Sequence, residues 1–73
     1  MSKLSELRAG ETGQVRHVEG TDDIGQRLLE MGLTPGTAVR MVGTAPLGDP
    51  LELEVRGYRL SVRRLEAARV EVE

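Results

Sequence analysis

The segment DIGQRLLEMGLTPG, residues 23–36, decides the fold, because it is the only part of the chain that predicts a complete helix. Asp23 is expected to cap the first helical turn, with Gln26 three residues later in position to reach back to it. The apolar residues that follow recur at helical spacing, so they form one stripe that faces a core. The stripe comprises Ile24, Leu28 and Met31.

The sequence also predicts where this helix ends. Gly32 suits the left-handed conformation just past a helix end, which brings Leu33 back onto Leu28. Pro35 prevents the helix from continuing. Leu29 lies away from the apolar stripe, so we expect it to be either covered by a second surface or exposed.

Short segments on both sides of the helix predict strands, because apolar and polar residues alternate in them. The predicted strands are Gln14–Val18, Thr37–Val42, Leu51–Arg56, Arg59–Arg63 and Arg69–Glu73. In the first of them, the alternation places Val15 and His17 on one side and Val18 on the other. Glycines and prolines mark the connections, and Leu65–Ala68 predicts one further helical turn.

Gly57 and Tyr58 predict a two-residue hairpin turn of type II′, which takes glycine at its first position. This register pairs apolar residues with each other on the inner face of the hairpin. It also places Arg56 opposite Arg59, which is the one unfavourable pair. An acidic partner surface would relieve that repulsion, so the two arginines point to a binding role.

The composition predicts one small domain, residues 1–73, with an aliphatic core. The chain has no Cys, Trp or Phe and a single Tyr, so Val, Leu, Ile and Met must form the interior. About five short strands and one short helix in a chain of this size predict a mainly β fold. A small, partly open barrel is the arrangement that limits exposed sheet edges.

Charge and hydropathy argue against several classes of protein. Ten basic and 12 acidic residues give a net charge of −2, which argues against nucleic acid as the partner. No segment approaches the roughly 18 apolar residues of a membrane span, and the N-terminus lacks the apolar run of a signal peptide. We therefore expect a complete cytoplasmic protein with no direct membrane insertion.

The sequence gives little support to catalysis or to a resident metal. A hydrolase would need a nucleophile, a base and a group that orients the base, and no such set is suggested. His17 is the only histidine, whereas a tight transition-metal site normally uses several His or Cys ligands. We predict no enzyme activity and no cofactor, with His17 as a weak candidate ligand for Fe²⁺ or Zn²⁺ at most.

Three segments resemble the FeoA family of bacterial ferrous iron transport. They are LLEMGLTPGT at residues 28–37, APLGDP at residues 45–50 and LSVRR at residues 60–64. The resemblance follows the family's order over nearly the whole chain. It implies an SH3-like barrel, a cytoplasmic location and a role as accessory to FeoB, the membrane ferrous iron transporter with a cytoplasmic GTP-binding domain.

We therefore expect a docking module whose contact surface combines the helix flank, the Pro46–Pro50 loop and the hairpin turn. The candidate contact residues are Arg27, Leu29, Met31, Leu47, Asp49, Arg56, Tyr58 and Arg59. Two other functions stay open. One is an SH3-like nucleic-acid-binding module, since residues 13–20 resemble the glycine-bounded strand of such barrels; the other is a weak metal-binding regulatory domain. Exposed strand edges also leave a homodimer open.

Overall fold

The computed structural model describes residues 2–73, which form one antiparallel sheet with two helices and a 3₁₀ turn. The strands are β1 Ser2–Lys3, β2 Thr12–Val18, β3 Ala38–Thr44, β4 Leu51–Val55, β5 Tyr58–Val62 and β6 Val70–Val72. The helices are α1 Asp23–Glu30 and α2 Arg64–Ala67, and the 3₁₀ turn is Leu4–Glu6. The strand order is β1-β6-β2-β3-β4-β5. No helix in residues 2–73 has the length and apolar character needed to cross a membrane.

Helix α1 begins one residue earlier than the sequence predicted. Asp22 is extended, and its Oδ1 accepts a hydrogen bond from the backbone N–H of Gly25 at 3.1 Å. The predicted cap, Asp23, is therefore wrong. Either of two adjacent aspartates can cap a helix, and the residue that is left in the first turn still interacts favourably with the helix dipole.

The predicted end of α1 is confirmed. Gly32 has a φ of 104°, and its N–H donates to the carbonyl of Leu29 at 3.0 Å. The N–H of Leu33 donates to the carbonyl of Leu28 at 3.2 Å, and both of these leucine side chains are fully buried. These two bonds define a Schellman motif, which satisfies the last carbonyls of the helix.

The predicted facing of β2 is wrong because the strand contains a β-bulge. Val15 pairs with Val72 and His17 pairs with Glu71, so one extra residue lies between the two pairs. A bulge resets the alternation of side chains along a strand. Val15 and Val18 consequently both face the core, while His17 is exposed.

The β4–β5 hairpin has a register two residues away from the predicted one. Val55 pairs with Tyr58, so Arg56 and Gly57 form the turn. Their φ angles are 51° and 86°, and two positive values define a type I′ turn. A shift of two residues leaves every side chain on the same face, so apolar pairing alone could not separate the two registers.

The corrected register removes the predicted repulsion between two arginines. Arg59 lies opposite Glu54 in the ladder, and Arg56 lies in the turn. The side chain of Arg56 donates from Nη2 to the hydroxyl of Thr37 at 3.3 Å. The hairpin therefore needs no acidic partner to relieve a like-charged pair.

A single aliphatic core lies inside the sheet, as the composition predicted. Its buried members are Leu4, Val15, Val18, Leu28, Leu33, Val39, Met41, Leu51, Leu53, Val55, Val62, Ala67, Val70 and Val72. Strands β1 and β5 are the two edges of the sheet. The carbonyl of Ser5, in the 3₁₀ turn, accepts a hydrogen bond from Nη1 of Arg64 at 3.2 Å, which links the element after β1 to the element after β5.

The mainly β, partly open architecture is thus confirmed, with six strands in residues 2–73 where five were expected. The additional strand, β1, has only two residues and pairs with β6. A segment of this length is too short to show an alternating pattern, which explains why the sequence did not predict it.

Candidate docking surface

The flank of α1 and the β4–β5 hairpin come together, as the sequence predicted. The hydroxyl of Tyr58 donates to the carbonyl of Met31 at 3.0 Å. Tyr58 is 45% exposed, and Leu29 and Met31 are half-buried against the core. The polar end of Tyr58 therefore binds the end of α1, while part of its ring stays on the surface.

Arg27 connects the two helices. Its guanidinium forms an ion pair with the carboxylate of Glu66 in α2. Glu66 is largely covered, whereas Arg27 keeps more than half of its side chain in solvent. An exposed pair of this kind contributes little to stability, on the order of 1 kcal/mol or less. It is a direct side-chain contact between α1 and α2.

The Pro46–Pro50 loop is attached to α2 by a network of hydrogen bonds around Arg64. Asp49 Oδ1 accepts from the backbone N–H of Arg64 at 3.0 Å, so Asp49 satisfies one of the free donors at the start of α2. The guanidinium of Arg64 donates to the carbonyl of Gly48 from Nε at 3.2 Å and from Nη2 at 3.0 Å. Arg64 therefore holds the loop in position through both Asp49 and Gly48.

Two large apolar side chains project into solvent beside this network. Leu47 is 97% exposed, and it immediately precedes Gly48. Leu65 is 85% exposed, and it immediately follows Arg64. We call Leu47 and Leu65, together with the Asp49–Arg64 contact that joins their segments, the leucine patch.

Leu47 is among the candidate contact residues predicted from the sequence, whereas Leu65 is not. One signal could have found it. In the four-residue helix α2, Ala67 is the buried member, and it shares a face with Val70 three residues later. Leu65 stands two positions before Ala67, which places it on the far side of the helix.

Unpaired positive charge is concentrated in residues 56–64, which we call the arginine segment. Five of the ten basic side chains of the chain form ion pairs within residues 2–73. Four of the other five lie in the arginine segment, which contains no acidic residue. They are Arg56, Arg59, Arg63 and Arg64, and all four are exposed. The positive charge that forms no ion pair is thus concentrated in one segment of a chain whose net charge is negative.

An open depression at the start of α1 has its charges satisfied internally. It is lined by residues 19–22 and by Arg69. Nη1 of Arg69 lies 2.6 Å from Oδ1 of Asp22. The hydrogen bond from Arg69 is the main cause that lowers the pKa of the Asp22 carboxyl, and the Gly25 amide lowers it further. The same contact raises the pKa of Arg69. Since Asp22 pairs with Arg69 and Glu19 pairs with Lys3, this depression offers little unpaired charge to a ligand.

His17 is exposed on β2 opposite Glu71. Within residues 2–73, no group of three or more His, Cys, Asp or Glu side chains could hold a metal ion together. One imidazole with one facing carboxylate falls short of the four ligands of a structural zinc site. Weak metal binding at His17 stays a prediction.

The molecule is thus a small open barrel that carries the leucine patch and the arginine segment. The FeoA domain family matches residues 2–73, so the chain belongs to the FeoA family. The resemblance seen in the sequence is therefore confirmed.

Among its relatives is a fusion protein from Porphyromonas gingivalis that joins Fe(2+) transport protein A to the Fe(2+) transporter FeoB. The two are 41% identical over 71 residues. The match covers 97% of this chain and only 8% of the fusion protein.

Two solved structures give the same fold at similar length. A FeoA-like protein from Clostridium acetobutylicum is 33% identical, with a TM-score of 0.91, and the match covers 99% of this chain and 84% of that one. FeoA of Stenotrophomonas maltophilia complexed with zinc is 38% identical, with a TM-score of 0.86, and the match covers 100% of this chain and 91% of that one. The latter is described as a prokaryotic SH3 domain protein, so the predicted SH3-like fold is confirmed.

Proposed function

We propose that this protein is a non-enzymatic cytoplasmic accessory factor of bacterial ferrous iron uptake, which docks on the cytoplasmic GTP-binding domain of a FeoB-like transporter. The observation that carries the proposal is the leucine patch. Leu47 and Leu65 are 97% and 85% exposed on segments that Arg64 and Asp49 join. Neither leucine contributes appreciably to the core, so both are free to be buried by a partner.

The energetics of the leucine patch favour docking. Full burial of one leucine side chain is worth about 1.5–3 kcal/mol, so two of them supply a useful part of a binding free energy. The Pro46–Pro50 loop is already anchored to α2 before any partner arrives. Ordering it on binding therefore costs less conformational entropy than ordering a free loop would.

The relatives support the identity of the partner. In the Porphyromonas gingivalis protein, a FeoA region and a FeoB transporter are parts of one chain. Linking two modules raises their effective concentration to the millimolar range when the linker is short, so weak contacts become useful. FeoA of Stenotrophomonas maltophilia has itself been put forward as a ferrous iron transport activating factor.

The remaining candidate contact residues divide into two groups in this proposal. Asp49 positions the leucine patch, and Arg27 reaches α2 through its ion pair with Glu66. Leu29, Met31 and Tyr58 lie at the other end of β4, where they support the barrel. Arg56 and Arg59 belong to the arginine segment and are considered below.

The proposal is tested by titrating the isolated GTP-binding domain of the transporter with wild-type protein and with Leu47→Ala and Leu65→Ala variants. Each substitution removes apolar area from the contact but leaves the core intact. We expect each to weaken binding by about tenfold, which corresponds to roughly 1.4 kcal/mol. Isothermal titration measures the affinity, and urea unfolding of the same samples measures the stability.

Two variants serve as controls. Arg8→Ala removes an exposed side chain outside the leucine patch and should bind like wild type. Leu29→Ala truncates a half-buried residue, so it should lower stability before it affects binding. Wild-type affinity in both Leu47→Ala and Leu65→Ala, with both proteins folded, would rule out the leucine patch as the contact.

Metal binding is the weaker alternative. The zinc in the Stenotrophomonas maltophilia relative is the observation in its favour. His17 opposite Glu71 is the one His–carboxylate pair that could contribute here. Iron is in any case the transported ion of the system, so contact with it as cargo would not require a resident site.

A further inference from the structure

The outer edge of β5 has features that the leucine patch does not use. β5 is an edge of the sheet, and its ladder partner is β4. Val55 and Tyr58 flank the two-residue turn, so they form the hydrogen-bonded pair that closes the hairpin. Hydrogen bonding alternates along an antiparallel ladder, so the backbone N–H and C=O groups of Arg59 and Ser61 point away from β4.

The charges on this edge have one sign. Arg59 and Arg63 stand at alternate positions with Ser61 between them, and both arginines are exposed. Neither forms an ion pair within residues 2–73. Glu54, which faces Arg59 across the ladder, already pairs with Arg40 at 2.9 Å. The open backbone groups are thus bordered by Arg59 and Arg63, while Glu52, opposite Ser61, accepts a hydrogen bond from the Ser61 hydroxyl.

We propose that the free edge of β5 binds an extended acidic segment of another protein, which adds to the sheet as a further strand beside β5. The exposed N–H and C=O groups of Arg59 and Ser61 would pair with the backbone of that segment, which is how sheet edges capture peptides. Acidic side chains at alternate positions of the segment would meet Arg59 and Arg63. Opposite charges on facing strands stabilise such pairing.

The structure favours an acidic peptide over two other occupants. The phosphate groups of a nucleic acid only accept hydrogen bonds, so they match the N–H groups of Arg59 and Ser61 but not their carbonyls. A second copy of this chain, paired through β5, would bring Arg59 and Arg63 of both copies together. Charged edges are a common means of preventing such self-association.

This inference goes beyond the proposed function and does not depend on the leucine patch. The edge of β5 could bind an acidic segment whether or not Leu47 and Leu65 contact the transporter. Loss of one activity therefore leaves the other intact, and separate variants distinguish them.

Hydrogen exchange gives the sharpest test, because strand addition protects alternate amides. The probe is a terminally blocked peptide of about seven residues in which Glu alternates with Val, a typical strand length. On its addition, the amides of Arg59 and Ser61 should exchange more slowly. The amides of Tyr58 and Leu60 already bond to β4 and should change little. Equal change at all four positions, or none, would overturn the proposal.

A proline substitution tests the backbone contact directly. Ser61→Pro removes an outward-facing N–H, and an edge strand tolerates proline at such a position. Because one well-formed hydrogen bond to the peptide is lost, we expect peptide binding to weaken by at least about tenfold. Ser61→Ala is the matched control, since both variants lose the bond between the Ser61 hydroxyl and Glu52. In a second form of the peptide, alternate backbone amides are N-methylated, so they cannot donate hydrogen bonds to β5. This ligand tests the same contact even if Ser61→Pro does not fold. Undiminished binding of the methylated peptide would contradict strand addition.

The role of charge is tested with Arg59→Gln and Arg63→Gln, using Arg8→Gln as the control outside the edge. Each edge variant should weaken binding of the Glu peptide by about two- to fivefold, the range of exposed ion pairs. A peptide with Lys in place of Glu should not bind.

Single-stranded RNA is the competing probe. Tighter binding of RNA than of the Glu peptide, unaffected by Ser61→Pro, would replace the peptide proposal with a nucleic-acid one.

Discussion

At the scale of the residue, Gly25 shows how a neighbouring backbone dictates side-chain identity. A helix position normally favours Ala over Gly by about 1 kcal/mol. A Cβ on Gly25, however, would lie 2.3 Å from the carbonyl oxygen of Gly20, closer than any real contact. The helix start can pack on this loop only because position 25 has no side chain.

Gly25→Ala should therefore lower stability although it raises helix propensity. Overpacking against backbone costs about 1–3 kcal/mol and the propensity gain is about 1 kcal/mol, so we expect a net loss of up to about 2 kcal/mol. Urea unfolding measures the difference. Gln26→Ala, at an exposed position of the same helix, should change stability by no more than about 0.5 kcal/mol. A Gly25→Ala protein more stable than wild type would show that the loop at Gly20 moves away at little energetic cost.

At the scale of the element, the start of α1 is stabilised by a charge that responds to pH. Asp22 caps the helix and also bonds Arg69, the residue just before β6. Together these contacts lower the pKa of Asp22 below its ordinary value of 3.8. A carboxyl with a lowered pKa in the folded state stabilises the fold above its unfolded pKa, and this stabilisation disappears as the pH falls through the folded pKa.

Asp22→Asn tests this dependence, because Asn caps a helix as well as Asp does but carries no charge. The variant should be less stable than wild type at neutral pH. The two proteins should converge in acid once Asp22 is protonated. Urea midpoints measured across the acidic range provide the comparison, with Asp23→Asn as the neighbouring control. A stability difference that stays constant down to the lowest pH would assign the effect to cap geometry alone.

The elements also mark how far the sequence could be interpreted. Helix α1, its glycine end and strands β3 to β6 follow from periodicity and turn chemistry, which are local. The bulge at Val15 and His17 depends on how β6 pairs with β2, and β6 is more than 50 residues away. The hairpin register depends on whether Arg56 accepts a positive φ, which arginine rarely does. Pairing with a distant strand decided the first and a rare backbone conformation at Arg56 decided the second, so the alternation of apolar and polar residues could predict neither.

The residues of the candidate site also differ in how far the local sequence predicts them. The loop position of Leu47 could be predicted because prolines and glycines surround it, but its exposure could not, since a loop leucine can also cover the end of a small barrel. Leu65 escaped because its exposure is set by Ala67, which occupies the core side of a helix of only four residues. The free edge of β5 could not be recognised before the corrected register showed which amides point outward.

At the scale of the whole molecule, a 73-residue domain has little stability to lose. At about 0.05–0.15 kcal/mol per residue its unfolding free energy is of the order of 4–11 kcal/mol. Leu53 is fully buried, and Leu47 is 97% exposed. Replacing leucine with alanine at each of these two positions therefore compares a core residue with a surface residue.

Leu53→Ala should cost about 2–5 kcal/mol, a large part of the total, because it leaves a cavity in the core. Leu47→Ala should change stability by no more than about 0.5 kcal/mol. Thermal and urea unfolding of both variants make the comparison. If Leu47→Ala were as destabilising as Leu53→Ala, Leu47 would be a structural residue and the leucine patch would not be a binding surface.

The position of β6 bears on how the protein acquires its structure. Although β6 is the last strand of the chain, it lies between β1 and β2, and Ser2 pairs with Val72. Contacts between residues so distant in sequence slow folding, because a large loop must close before they form. Pairing of β1 with β6 therefore joins the most distant of the paired strands, and a covalent link between Ser2 and Val72 would make that contact local.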